Sequence, residues 1–192
     1  MARQGLDGAT IPRIARAAGV SPANVYRRFR DKDALLTAVF GRFSEAGEAA
    51  ADRPPDEGTL RGVGLEGVVR GWIAALVASY RARTKLIRAT MEYARRNASA
   101  PFIRRQVAAE SRGFEGMAQV LLLFRDEIRH PEPERAVRWG MLTAGAVLKD
   151  RVLFDEAGLI QGLLPLTDEQ LCEELVRTLL SHLRDRGSDP TG

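Results

Sequence analysis

Residues 8–39 read GATIPRIARAAGVSPANVYRRFRDKDALLTAV, and the spacing inside them decides what to expect of the whole chain. Thr10 stands at an N-cap position ahead of Ile11, Ile14, Ala15 and Ala18, which recur at offsets 0, 3, 4 and 7, one face of a helix. Pro12 falls in the first turn, where its missing N–H costs nothing, and Gly19 stands where a left-handed residue ends the helix. Ser21 then caps a second helix, with Pro22 as its first residue and Val25, Tyr26 and Phe29 as its apolar stripe. Asp31 caps a third, from about Lys32 to Ala50, with Leu35, Leu36, Val39, Phe40 and Phe43 on one side. Two short helices joined by a glycine turn, the second opening on small polar residues, form a helix-turn-helix pattern.

In such a unit the second helix lies in the major groove and its N-terminal residues meet base edges. Here they are Ser21, Pro22, Ala23 and Asn24. Their small side chains permit a close approach; Asn24 can pair with adenine through two hydrogen bonds, and Ala23 can touch a thymine methyl. Tyr26, Arg27 and Arg28 lie one turn further on, suited to phosphates at the groove edge. Lys32 sits in the first turn of the third helix, where a free helix N-terminus and a cation can hold one phosphate together. The competing readings are core packing for Tyr26 and a solvated face for Arg28 and Arg30.

Charge points the same way. Residues 1–44 hold eight basic groups (Arg3, Arg13, Arg16, Arg27, Arg28, Arg30, Lys32, Arg42) against three acids (Asp7, Asp31, Asp33). The remaining 148 residues hold 21 basic and 22 acidic groups, so the whole positive excess lies in the first quarter, as a polyanion partner requires. A surface that is simply basic would look the same on charge alone.

The stretch resembles the DNA-binding signature of the TetR family of transcriptional regulators. That family's pattern has Thr before the first motif helix, Ala-x-x-x-Gly-Val-Ser across the turn, Tyr-x-x-Phe ending the recognition helix, and Lys-[acid]-x-Leu opening the next. Thr10, Ala15, Gly19, Val20, Ser21, Tyr26, Phe29, Lys32, Asp33 and Leu35 match it in register. The resemblance implies phosphate contacts for Thr10, Tyr26 and Lys32. It places Pro22, Ala23, Asn24 and Arg27 on the groove-facing side, and gives Val25 and Phe29 the task of holding the helices together. With Arg13 and Ser21 these make the expected DNA-binding set. Arg27 departs from the aromatic often found at its position, trading a packing contact for a phosphate contact. The family also places a complete helix before the motif, of which MARQGLDGAT supplies only the tail. The expected source of that helix is a start codon further upstream.

Beyond the motif, helical spacing recurs almost everywhere and strand alternation does not persist, so the expected fold class is all-α. ADRPPDEGTLRGVG (51–64) reads as a loop, followed by helices near 65–82, 84–97, 101–127, 132–155 and 167–185, the last opened by a capping box at Thr167. The domains expected are a DNA-binding unit over 1–46, a helical effector-binding and dimerisation unit over 47–185, and a flexible tail over 186–192. The resemblance implies that the second unit binds a small molecule and forms a homodimer through its last two long helices. The helix near 132–155 carries Trp139, Gly140, Met141, Ala144, Gly145, Val147 and Leu148, permitting close approach of another helix. The final helix carries Leu171, Leu175, Val176, Leu179, Leu180 and Leu183, a stripe wider than one neighbour needs. Pocket candidates are Trp72, Tyr80, Met91, Tyr93, Phe102, Phe114, Met117, Leu121, Phe124, Trp139 and Thr143, with Gln106, Glu110 and Arg138 as polar anchors. The same residues at helical spacing equally suit an ordinary core.

Other classes fare worse. One cysteine, Cys172, excludes an internal disulfide, and a reducing cytoplasm is the simplest setting. No apolar run reaches the roughly 18 residues of a spanning helix, and no membrane partner is expected. His130, His182 and Cys172 form no triad or metal spacing, and no glycine-rich phosphate loop occurs, so neither an enzyme nor a cofactor is expected. The function expected is a DNA-binding regulator, a repressor released from double-stranded operator DNA by a small apolar or amphipathic effector. The alternative is a ligand- or partner-binding helical dimer whose DNA binding is weakened or lost with the first helix.

Overall fold

The computed structural model describes residues 6, 8–51, 56–155 and 158–186, and for residues 42–51 and 57 the backbone alone. Arg3, Asp7, the Phe43 side chain and the tail beyond Arg186 lie outside the described residues. Every regular element among those described is a helix: α1 Ile11–Ala17, α2 Pro22–Arg28, α3 Lys32–Ala51, α4 Glu57–Arg96, α5 Pro101–Leu122, α6 Pro133–Leu148, a π-helical turn Lys149–Phe154, α7 Leu159–Leu163 and α8 Asp168–Arg184. The all-α expectation holds. The chain divides into two compact units, Met1–Pro54 with Lys85–Gly113, and Pro55–Thr84 with Phe114–Gly192.

In the first unit the core is built from Leu36 and Phe40 of α3 and Phe102 and Ile103 of α5, with Leu6, Leu86, Tyr93, Ala94 and Ala100 packed around them. The Phe40 and Phe102 ring centroids are 4.8 Å apart and tilted, the arrangement that opposes ring edge to ring face. Burying each such side chain contributes about 1.5–3 kcal/mol. Ile11 and Ala15 are buried as the α1 periodicity predicts, but Ala18 is exposed: it is the C-cap residue, one step past the last helical position. Val39 is likewise 39% exposed, off the stripe drawn for it, because Leu35, Leu36 and Phe40 already fill the covered face of α3.

The first helix of the second unit begins earlier than expected. The stretch 51–64 was read as a loop, yet α4 begins at Glu57, where the Asp56 carboxylate accepts from Thr59 N at 3.1 Å. Of the three glycines in the stretch 51–64 only Gly64 takes a positive φ (74°), and the helix is broken there. The Leu65 N–H at that break finds the Glu127 carboxylate at 3.3 Å. A second break at Arg83 (φ −124°) separates segments 65–82 and 84–96, close to the predicted pair. By length and composition one window of α4 would suffice to cross a membrane, contrary to the absence of such a run expected above. Leu65, Val69 and Ile73 along it are fully buried in this unit.

α5 ends at Leu122 rather than near 127, passing into turns closed by Phe124 N to Leu121 O and Ile128 N to Arg125 O. α6 stops at Leu148 and its continuation is π-helical. The short α7 was not foreseen, because its cap comes from outside the helix. Asp155 accepts from Ile160 N at 3.0 Å and Gln161 N at 2.8 Å, and pairs with Arg151 at 3.1 Å. Burial pushes the Asp155 carboxyl up, but those two N–H groups and the guanidinium outweigh it and hold the group below its ordinary value. The capping box at Thr167 and Gln170 is present in both directions.

α6 packs on α8 so closely that a Cβ at Gly140 would overlap Leu179 Cδ1. This contact corrects the argument from stripe width. All six apolar residues of α8 are buried within the chain, as are Met141, Ala144 and Leu148 of α6. What α6 leaves at the surface is another side: Trp139 (60% exposed), Leu142 and Val147.

Candidate nucleic-acid interface

The turn between α1 and α2 is fixed by backbone alone. Gly19 has φ 68°, and Val20 N donates to Ala15 O at 3.0 Å while Gly19 N donates to Arg16 O at 3.2 Å. Nothing lies within 4 Å of where its Cβ would be, so glycine is required by the sign of φ and not by space. Ser21 Oγ then accepts from Asn24 N at 3.2 Å, and Pro22 occupies the first helical position. Ser, Pro and the glycine before them therefore aim a helix whose start is set locally.

α2 buries no residue fully. Val25 and Phe29 are half-buried and hold it to the unit, while Pro22, Ala23, Asn24, Arg27 and Arg28 are exposed. Tyr26 is 52% exposed, which removes it from the apolar stripe: with Val25 and Phe29 already supplying the packing edge, its ring is left at the surface. Thr10 occupies the N-cap position of α1 but its side chain makes no capping bond, and Arg13 Nη1 donates to Gly8 O at 3.4 Å. Asp31 does cap α3, accepting from Ala34 N at 2.8 Å, and also takes Arg30 Nε at 2.9 Å. The Ala34 N–H first, and Arg30 second, hold the Asp31 carboxyl below the usual carboxylate range. Arg30 is thereby engaged with its neighbour.

Two partnerships at the start of α3 have no signal in the sequence. The Lys32 ammonium stands 5.1 Å from the centroid of the Tyr93 ring, a cation–π distance, although Tyr93 was grouped with the pocket residues. Asp33 accepts from Phe102 N at 2.9 Å and from Arg105 at 3.0 Å. All three partners lie more than 60 residues away along the chain, beyond the reach of any local pattern.

The pocket candidates are divided between the two units. Met91, Tyr93, Phe102, Gln106 and Glu110 belong to the first unit, and Trp72, Tyr80, Phe114, Met117, Leu121, Phe124, Trp139, Thr143 and Arg138 to the second. Phe102, Leu121 and Phe124 are buried core, and the Thr143 hydroxyl donates to Trp139 O. Gln106 and Glu110 are paired with each other at 3.5 Å. In the second unit Phe114, Arg138 and Trp139 line an open groove of about 1010 Å³ with Leu142, His130 and His182. The two histidine rings lie 5.2 Å apart, joined by folding from positions 52 residues apart. Burial first, and the carboxylates of Asp168, Glu173 and Glu169 next, push the Cys172 thiol up, the opposite of an activated nucleophile.

Residues 1–39 match the family model of bacterial regulatory proteins of the tetR family. A curated HTH-type transcriptional repressor of Mycobacterium tuberculosis is 38% identical over 74 residues, which cover 38% of this chain and 35% of that protein. The chain thus spans about a third of the length of that relative in the matched region. No solved structure matches the chain. The matched segment is the one in which Gly19, the Ser21 cap and the exposed α2 make a helix-turn-helix, and over residues 1–39 the chain is similar to the tetR family of bacterial regulatory proteins.

Proposed function

We propose that this chain is a DNA-binding transcriptional regulator, a repressor that a small apolar or amphipathic effector releases from its operator in the cytoplasm. The observation that carries the reading is α2, a seven-residue helix with no fully buried residue whose capped end presents Pro22, Ala23 and Asn24 to solvent. So short a helix has little stability of its own, and its exposed small and basic side chains match what a major groove offers. Tyr26, Arg27 and Lys32 then serve as phosphate contacts in this reading, with Thr10 and Arg13 as further backbone contacts. The relative's description as a transcriptional repressor favours repression over activation. Effector and operator would then bind antagonistically, with a coupling free energy of roughly 1–3 kcal/mol.

The test is fluorescence anisotropy on duplex DNA from the gene's own upstream region across a range of salt. The parent chain binds, and Lys32→Ala lowers the salt slope by about one unit with a similar loss on every sequence. An unchanged slope removes Lys32 as a phosphate contact. No binding by the parent turns the reading to the helical dimer that binds a ligand or partner without DNA.

Reading a palindrome takes two recognition helices, so the regulator acts as a homodimer in this proposal, with half-sites roughly 34–36 Å apart. The surface that supports it is the outer side of α6, where Trp139, Leu142 and Val147 fall within roughly 140° of the helix circumference and stay exposed. Exposed large apolar residues on one face mark an association surface. Trp139→Glu is expected to leave helical content unchanged and to yield monomers in sedimentation at concentrations where the parent is dimeric. A dimer of unchanged strength would place the contact elsewhere.

A further inference from the structure

α5 opens with Ala100 and Pro101, a start that supplies no capping side chain of its own. The N–H of Phe102 would be one of the orphan donors of that first turn. It is taken up by Asp33 Oδ1 at 2.9 Å, a cap delivered from 69 residues away. Asp33 Oδ2 accepts from Arg105 Nη2 at 3.0 Å, and the same nitrogen donates to Thr37 Oγ1 at 2.7 Å. Thr37 Oγ1 in turn donates to Asp33 O at 2.8 Å. The first two turns of α3 and the first two of α5 are therefore joined through one carboxylate whose two oxygens are both engaged. A negative charge at a helix N-terminus is also favoured by the helix dipole.

Lys32 is the residue immediately before that joint. Its side chain has a compact charge on a flexible four-carbon stem, and a phosphate contact must order that stem at an entropic cost. Where the stem begins is set by the backbone of the same turn, and its ammonium lies against Tyr93, which belongs to the same unit. An acid beside a lysine that grips phosphate is the wrong charge for DNA, so its value must lie in something other than charge. We propose that Asp33 is a positioning residue: by capping α5 and holding Arg105 it fixes the first turn of α3 so that Lys32 meets a DNA phosphate. The proposal rests on the DNA-binding reading above and gives it a control point at the start of α5.

Charge and position predict opposite signs, which makes the experiment decisive. Removing an acid near DNA on electrostatic grounds alone tightens binding. Removing a positioning residue loosens it. The probe is a fluorescein-labelled, mixed-sequence 30-base-pair duplex titrated with the full chain at several KCl concentrations. Asp33→Ala is expected to lower affinity about tenfold at low salt, the worth of one charge-assisted hydrogen bond. It should also lower the salt slope by about one, as Lys32→Ala does. In the Lys32→Ala background the same change should move neither quantity further. Asp33→Asn, which keeps an acceptor for Phe102 N, should recover part of the loss. Should Asp33→Ala lose helicity by circular dichroism, Arg105→Ala serves instead, since that guanidinium is largely exposed and only one of the two bonds is removed. It should lower affinity in the parent, and not in the Lys32→Ala background.

Binding as tight as the parent's with an unchanged slope, or losses that add to that of Lys32→Ala, would overturn the proposal and leave DNA binding standing. A parent slope insensitive to Lys32→Ala would overturn it too, since there would be no contact to position. A parent chain that binds no duplex at all would remove the DNA-binding reading itself.

Discussion

Phe102→Ala is expected to lower the free energy of unfolding by roughly 3–5 kcal/mol, the usual cost of emptying a buried aromatic site. Phe102 is 2% exposed, its ring is 4.8 Å from Phe40 and 6.5 Å from Tyr93, and Leu36 and Ile103 belong to the same cluster. The void would be lined from α3, α4 and α5 at once, so no single side chain can swing in to fill it. Against a total stability of about 5–15 kcal/mol for an ordinary domain, such a loss is a large fraction. The variant should therefore show a reduced urea midpoint and, at working temperature, weakened DNA binding through loss of the platform under α3. The sequence had placed Phe102 among residues that line an effector pocket. A lining residue would change effector affinity and leave unfolding almost untouched, so a destabilisation below about 1 kcal/mol would return Phe102 to that role.

The contrast between Phe102 and Ser21 explains what was legible in the chain. Ser21, Gly19, Asp31 and the Thr167 capping box act over three or four residues, and a sequence displays such signals directly. The same locality made the two segments of α4 readable, because the break at Arg83 lies between two separate apolar periods. Asp33 was visible only as an acid in a matching pattern; that it caps α5 depends on a contact made after folding. The α7 helix failed for a related reason, since Asp155 caps it from outside the usual position. Periodicity also says which side of a helix is apolar without saying what covers it. On α8 the stripe is satisfied inside the chain, and on α6 a tryptophan is left at the surface. Tyr26 shows the limit on a short helix: in seven residues a stripe of three is defined by two half-buried members, and the third is free to serve the surface.

Asn24→Ala should act on sequence discrimination and not on stability. The bond that starts α2 runs from the Asn24 backbone N–H to Ser21 Oγ, so the side chain can be removed with the cap intact. Alanine is also the better helix former, by up to about 0.7 kcal/mol, and the position is exposed. A bidentate contact from asparagine to adenine is worth roughly 1–3 kcal/mol of discrimination against the wrong base. Duplexes selected from a random pool by the variant should thus lose their preference at one A·T pair per half-site by roughly 5- to 150-fold, with the other positions unchanged. Ser21→Ala supplies the comparison. It removes the cap at a cost of about 1 kcal/mol and should weaken binding to all duplexes alike, because the Ser21 hydroxyl is engaged with the Asn24 N–H and its loss loosens the whole helix. If Asn24→Ala behaves in the same uniform way, Asn24 supports α2 without reading a base, and specificity must come from Ala23, Arg27 or the shape of the groove.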